Sequence, residues 1–290
     1  VIGLRVTEKI ISNGLMRNIS SSMRRMDKQY TQLSTGKKIQ LPSDDPVGLI
    51  TSLRMYDTIR QNERYKTNSE TAISWLEATD AALNEFTSVL NRLSQLAVAA
   101  ANGIHTDDSR QAYEDEIRQL REHVQQIANT QHESRYLFGG QQTISPVYEN
   151  FAYQGDTNRL VTEIGGGATI AYSYYGEEVF RDFFQQLEEF ANHVDVGDYD
   201  KITQIDIDNI QQQLTHVLNI RSEIGAKVNR LEKNTSRLEL LGVQYESFLS
   251  NVEDVDYTEV IMQLKMQEMV YQAALGAGAR IMQTTLLNYL

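Results

Sequence analysis

The 290-residue chain contains no cysteine, three prolines and one tryptophan. Without cysteine there is no disulfide framework and no thiolate chemistry. The absence suits an exported protein that avoids mispairing. Pro42, Pro46 and Pro146 leave residues 47–145 and 147–290 with nothing to break a helix. Aromatic residues make up 8% of the chain, against abundant Gln, Leu, Ala, Arg and Glu, a composition of long helices rather than of an all-β protein. No apolar run approaches the roughly 20 residues of a membrane span, so no membrane-inserted segment is expected. No charged, apolar and cleavable stretch opens the sequence, so an exported chain is expected to leave without a cleaved signal peptide. Val1 to Leu4 carry no inference.

What is present is helical periodicity, strongest at the two ends. Leu15, Ile19, Met23, Met26, Tyr30 and Leu33 recur at steps of three and four, as do Val260, Ile261, Leu264, Met269, Ala273 and Ile281 along 257–290. Fixing each backbone residue costs about 1–2 kcal/mol. Burying each apolar side chain returns about 1.5–3 kcal/mol. With roughly one residue in three on each stripe, the return falls short unless each end packs against the other or against further subunits. These twelve residues are the candidate assembly interface.

The net charge of −12 is uneven. Residues 1–40 hold eight basic against two acidic side chains, a net +6 that leaves −18 for the remainder, and 253–290 has net −3. A basic leading helix and an acidic trailing one attract. Nucleic acid is disfavoured as a partner: Met23, Met26 and Leu33 interleave with the positive charges, and the acidic whole is repelled by phosphate.

Between the ends, the first helix begins near Val6 or at Asn13-Gly14 and ends at Gly36, which takes the C-cap position. A polar loop from Lys37 to Asp45 follows. Asp45-Pro46 opens a helix to about Ala101, with a kink expected near 62–68 where the apolar pattern thins. Pro42, Asp44, Asp45 and Pro46 are read as a hinge between an inner and an outer layer. Thr106-Asp107-Asp108 caps a third helix that ends at Asn129. Residues 145–176 alternate as strands around turns at Gly155-Asp156 and Gly165-Gly166-Gly167. The glycine run lacks the Lys-Ser/Thr and helix of a phosphate loop and reads as a plain hairpin. A helix over 177–194 is expected. The seam Ile210, Leu214, Val217, Arg221, Ile224, Val228, Leu231, Thr235, Leu238, Gly242 then continues to Val252 at coiled-coil spacing. The predicted architecture is mainly α: an elongated rod of long antiparallel helices, formed by the two arms, carrying a small β-rich insertion. Its domains are 1–43 with 253–290 (terminal assembly, weakly ordered alone), 44–143 with 205–252 (helical bundle core), and 144–204 (outer insertion).

No catalytic or metal-binding constellation is visible. His105, His123, His132, His193 and His216 form no ligand pair on one helix face. Asp44-Asp45, Asp107-Asp108 and Glu188-Glu189 suit helix starts and outer faces. No catalytic residue, metal or cofactor is assigned.

Two motifs carry a resemblance. Leu33-Ser34-Thr35-Gly36-Lys37-Lys38-Ile39 followed by Pro42-Ser43-Asp44-Asp45-Pro46, and Gly225-Ala226-Lys227-Val228-Asn229-Arg230-Leu231-Glu232 followed by Val252-Glu253-Asp254-Val255-Asp256-Tyr257, resemble the N- and C-terminal signatures of the flagellin superfamily. Ala128-Asn129-Thr130, Arg135-Tyr136-Leu137-Phe138-Gly139-Gly140 and Gly276-Ala277-Gly278-Ala279-Arg280 are more similar to its hook–filament junction branch. The paired-Leu ending usual in flagellin is missing in that form. The resemblance implies export through the flagellar type III channel, with an export chaperone as a further expected partner. It implies an extracellular place in the bacterial flagellum, between hook-associated protein 1 and flagellin, and self-assembly through the terminal helices. Flagellin itself is the alternative. A coiled-coil binding module joined through the seam, and an enzyme, are readings of other classes.

Overall fold

The computed structural model describes residues 2–102 and 106–287, with side-chain surroundings over 10–280 apart from residue 11 and the 103–105 gap. Among the described residues, eight α-helices, a short π-helical segment (Ile202–Asp206) and three two-stranded antiparallel sheets occur. In chain order the α-helices and strands are α1 (Ile2–Thr35), α2 (Pro46–Ala101), α3 (Asp107–Ala128), β1 (Gln131–His132), β2 (Arg135–Tyr136), β3 (Tyr148–Glu149), β4 (Ala152–Tyr153), β5 (Val161–Gly165), β6 (Ala168–Ala171), α4 (Gly176–Phe180), α5 (Phe183–Val196), α6 (Tyr199–Lys201), α7 (Ile207–Glu253) and α8 (Tyr257–Leu287). The strands pair β1–β2, β3–β4 and β5–β6. The chain forms two compact units, 1–60 with 243–290 and 61–242. The division falls within α2 and α7.

In 61–242 the core is continuous. Ala72, Leu76, Leu83, Phe86, Leu90 and Leu93 of α2 are fully buried and share it with Ile117 and Val124 of α3, Leu187 and Phe190 of α5, and Val217 and Leu231 of α7. Phe180 sits 5.0 Å from Phe86 and 5.3 Å from Phe138, ring centre to ring centre. Up to Leu238 the seam on α7 therefore packs inside 61–242. Where it turns polar, Arg221 donates to both carboxylate oxygens of Asp80 at 2.8 and 3.2 Å.

Through 62–68, where a kink is expected, α2 stays helical. The apolar pattern thins there because polar side chains face inward. Asn62 is buried and donates to the Leu238 carbonyl at 2.8 Å, and buried Ser69 donates to the Tyr65 carbonyl and accepts from Asn234. The expected helix over 177–194 is broken at Arg181, whose φ of 45° and ψ of −137° no helix accommodates. Phe180, before the break, and Phe183 and Phe184, after it, are all buried in one core. Paired strands begin at 131, ahead of the expected 145, because Glu133-Ser134 turns with both residues at positive φ, the twist a two-residue hairpin requires. Asn129 stops α3 and pins the next hairpin: its Oδ1 accepts from the Val147 and Tyr148 amides, each at 2.9 Å, and its Nδ2 donates to the Tyr148 carbonyl. The glycine run is a hairpin turn, as its lack of phosphate-loop residues predicts.

Candidate assembly surface

The unit 1–60 with 243–290 starts from two capped turns. Helix α1 ends at Gly36, whose φ is +71°; a Cβ there would also lie 2.7 Å from the Tyr257 hydroxyl, so glycine is required twice over. The loop that follows is tied down by its own carboxylates. Asp44 accepts from the Gln40 and Leu41 amides at 3.2 and 3.1 Å and from the Lys28 ammonium at 2.6 Å. That ammonium, with the Leu41 amide next, holds the Asp44 carboxyl below its usual pKa. Asp45 accepts from the Val47 and Gly48 amides and caps α2, with Pro46 in the first helical position. Pro42 is exposed at the tip. The predicted hinge residues thus form an ordered turn, three of them in the carboxylate network and cap. Across the chain, Asp256 caps α8 in the same way through the Thr258 and Glu259 amides.

These two turns meet. The Lys38 amide donates to the Glu253 carbonyl at 2.7 Å and the Val255 amide to the Gly36 carbonyl at 2.9 Å. The Lys37 ammonium reaches Glu253 Oε1 at 2.7 Å and the Tyr56 hydroxyl at 2.5 Å, and that hydroxyl donates to Glu253 Oε2 at 2.8 Å. Glu253 is buried, and its carboxylate, ahead of Tyr56, raises the Lys37 pKa above the ordinary lysine value. The two signature segments noted in the sequence are therefore one structural joint. Lys37 and Glu253 lie within those motifs, whereas nothing in the sequence singles out Tyr56.

From the joint, α1 and α8 run antiparallel. Leu15 lies against Gly278, Arg25 donates to Gln267 at 3.2 Å, Ser22 bonds Gln267, and Tyr257 lies over Gly36. A Cβ on Gly278 would stand 2.6 Å from Leu15, so glycine sets the approach at that point. A Cβ on Gly276 would meet nothing within 4 Å inside the chain. The facing stripe on α1 is Leu15, Ile19, Ser22, Met26, Gln29 and Leu33, all shielded. On α8 it is Val260, Leu264, Gln267, Tyr271, Ala274 and Gly278. Attraction between the basic and acidic ends is realised at Lys37–Glu253, while Arg25 bonds Gln267 and Lys28 bonds Asp44.

Of the twelve predicted interface residues, Leu15, Ile19, Met26, Leu33, Val260 and Leu264 face the partner helix of the same chain. Met23, Tyr30, Ile261 and Met269 are about half or more exposed, and Ala273 is exposed too. The Ile281 side chain lies outside the described residues. Helix α8 carries a second stripe, Met262, Met266, Met269, Ala273 and Gly276, displaced by two residues from the first. Two residues turn a helix by about 200°, so this stripe is nearly opposite the shielded one. Sequence periodicity merged the two. Met16, Met262 and Met266, absent from the predicted set, belong to the exposed surface.

The contrast between the units is large. Among the described residues, 41 apolar side chains are buried, and only Ile39, Val260 and Leu264 of them lie in 1–60 or 243–290. The same unit holds 17 of the 24 exposed large apolar residues. It has folded with its apolar surface outward, which marks a contact surface.

Chemistry of other kinds has little to work with. The histidines are occupied structurally: His193 with Asp206 at 2.9 Å, His216 on the Glu178 carbonyl at 2.7 Å, His132 on Ser74 and His123 beside Glu85. His105 lies outside the described residues. No cluster of three acidic, His or Cys side chains able to hold a metal occurs among the described residues. Among the described residues, no helix is long and apolar enough to cross a membrane.

The bacterial flagellin N-terminal helical region matches residues 6–143 and the flagellin C-terminal helical region matches 207–290. The chain is 24% identical to flagellar hook-associated protein 3 of Escherichia coli over 94% of this chain and 96% of that protein. It is 26% identical to the flagellin of Bacillus subtilis over 93% and 94% respectively. Among solved structures, flagellar hook-associated protein 3 from Legionella pneumophila superposes with a TM-score of 0.64 at 14% identity, covering 69% of this chain and 98% of that one. A flagellar junction protein from the same organism gives 0.57 at 15%, covering 72% and 100%. These superpositions establish a shared fold.

Proposed function

The chain belongs to the flagellin family, and from that premise we propose that it is the structural junction subunit of the bacterial flagellum, set between hook and filament. Hook-associated protein 1 lies on its hook side and flagellin on the other. It reaches this extracellular place through the flagellar export apparatus, escorted by a chaperone. It acts by packing, with no catalysis, metal or cofactor. Residues 1–43 with 253–290 form the assembly part, 44–143 with 205–252 the bundle, and 144–204 the outer part.

The observation that carries this reading is the inverted apolar distribution of the terminal unit. A terminal unit that buries three apolar residues among its described ones and exposes many more gains most of its stabilisation from neighbours. A head-to-tail contact repeated between copies builds a ring or a helix. Resemblance to hook-associated protein 3 across nearly the whole length of both proteins supports the junction role.

The test is Met262→Asp with Met269→Asp. Both positions are exposed, so the fold is kept while charge enters the contact face. The expected result is a folded subunit that no longer adds to hooks ending in hook-associated protein 1. Addition at the unaltered level would remove the basis for the assembly surface. Flagellin is the second reading, favoured by the Bacillus subtilis likeness. Filament growth from the purified chain alone would select it.

A further inference from the structure

All eight methionines of this chain lie in 1–60 or 243–290, and the 182 residues of 61–242 contain none. The interior of 61–242 is filled by Leu, Ile, Val and Phe. Met16, Met23, Met262, Met266 and Met269 are 53–63% exposed, and Met26 and Met55 are partly shielded. Met262, Met266 and Met269 follow at steps of four and three, which puts three thioethers on one face of α8, the face turned away from α1. Met16 and Met23 are one heptad apart on α1. With no cysteine in the chain, these exposed thioethers are its readily oxidised sulfurs.

We propose that Met16, Met23, Met262, Met266 and Met269 form a peroxide-modification site that decides whether a free subunit can join the assembly, an inference that rests on the assembly reading above. In the step, a sulfur lone pair attacks one oxygen of hydrogen peroxide. The S–O bond forms as the O–O bond breaks, sulfur gives up two electrons, and the peroxide leaves as water. The product places a strong hydrogen-bond acceptor on a helix face beside Lys265, whose ammonium already bonds Glu268 at 2.9 Å. Burying such an unpaired polar group weakens a contact roughly tenfold for each sulfoxide covered. Subunits already in place have these sulfurs covered, so oxidation acts on free ones. Methionine also adapts its shape to irregular neighbours, which suits a surface that meets more than one kind of subunit.

The experiment treats the dilute full-length chain with hydrogen peroxide and maps added oxygen by peptide mass spectrometry. Association of the treated chain with hooks ending in hook-associated protein 1 is then followed by light scattering against chain concentration. A parallel chain carries Met→Leu at the five positions. The expected result is that the five exposed methionines oxidise ahead of Met26 and that the concentration needed for association rises about tenfold or more. Methionine sulfoxide reductases with a dithiol reductant restore the wild-type chain, while the Leu chain associates equally before and after peroxide. Unchanged association of the oxidised wild-type chain overturns the proposal and leaves the assembly reading standing. Equal loss in the Leu chain also overturns it, by placing the damage elsewhere. Absence of association in both chains before any peroxide is the separate result that would sink the assembly reading itself.

Discussion

Replacing Glu253 by Gln tests the joint between the two ends of the chain. The buried carboxylate accepts from the Lys37 ammonium at 2.7 Å and from the Tyr56 hydroxyl at 2.8 Å. A hydrogen bond to a charged group contributes about 1.5–3 kcal/mol when shielded. The Lys37 side chain is 40% exposed, so water recovers part of its share and the lower end applies. Glutamine keeps one acceptor and the same volume but loses the charge. The expected loss is about 2 kcal/mol, which is roughly a thirtyfold rise in the opening of the joint. Amide exchange reads it directly: the Lys38 and Val255 amides, bonded across the joint to the Glu253 and Gly36 carbonyls, should lose about thirtyfold in protection. Amides around Leu83 and Leu90, in the other unit, should not change. Lys37→Gln in the Glu253→Gln background should add little, since the pair is already broken. A loss below threefold at Lys38 and Val255, or an equal loss at Leu90, would refute a local charged joint.

Asp44 should titrate below the ordinary aspartate range, with Lys28 as the main cause. A depressed folded pKa means that its stabilisation is present above the unfolded value and lost as pH falls through the folded one, so the 40–44 turn should loosen only in acid. Carboxyl NMR checks this; Lys28→Ala should move the midpoint upward, and an unmoved midpoint contradicts the assignment. Arg181→Gly should stabilise 61–242 by about 1 kcal/mol, by relieving a φ and ψ that glycine alone adopts freely. Arg181→Ala keeps the strain and should not stabilise; calorimetry of the two separates backbone relief from loss of the bond to His216. Phe86→Ala, which empties the centre of the aromatic cluster, should cost about 3–5 kcal/mol and lower the main thermal transition; a loss below about 1 kcal/mol would mean that Phe86 is not central to that core.

Periodicity, caps and turn residues are properties of neighbours in the chain, so the amino-acid sequence determined by itself the helix after Asp45-Pro46, the stop at Gly36, the β hairpins around the glycine run and the family signatures. It also drew the proposed assembly surface to the two ends, because so many apolar residues there have too few partners within reach. Only the tertiary structure decided which side of each terminal helix is used up inside the subunit. A helix with apolar residues on two faces looks like one broad stripe until its partner is present: Val260 and Leu264 go inward with Leu15 opposite Gly278, and Met262, Met266 and Met269 are left outside. The Lys37–Tyr56–Glu253 cluster joins side chains nearly two hundred positions apart or more, and the chain leaves its helix at Arg181 although Phe180, Phe183 and Phe184 are spaced as on one face of an unbroken helix. Both depend on contacts made through space, for which spacing along the chain holds no record.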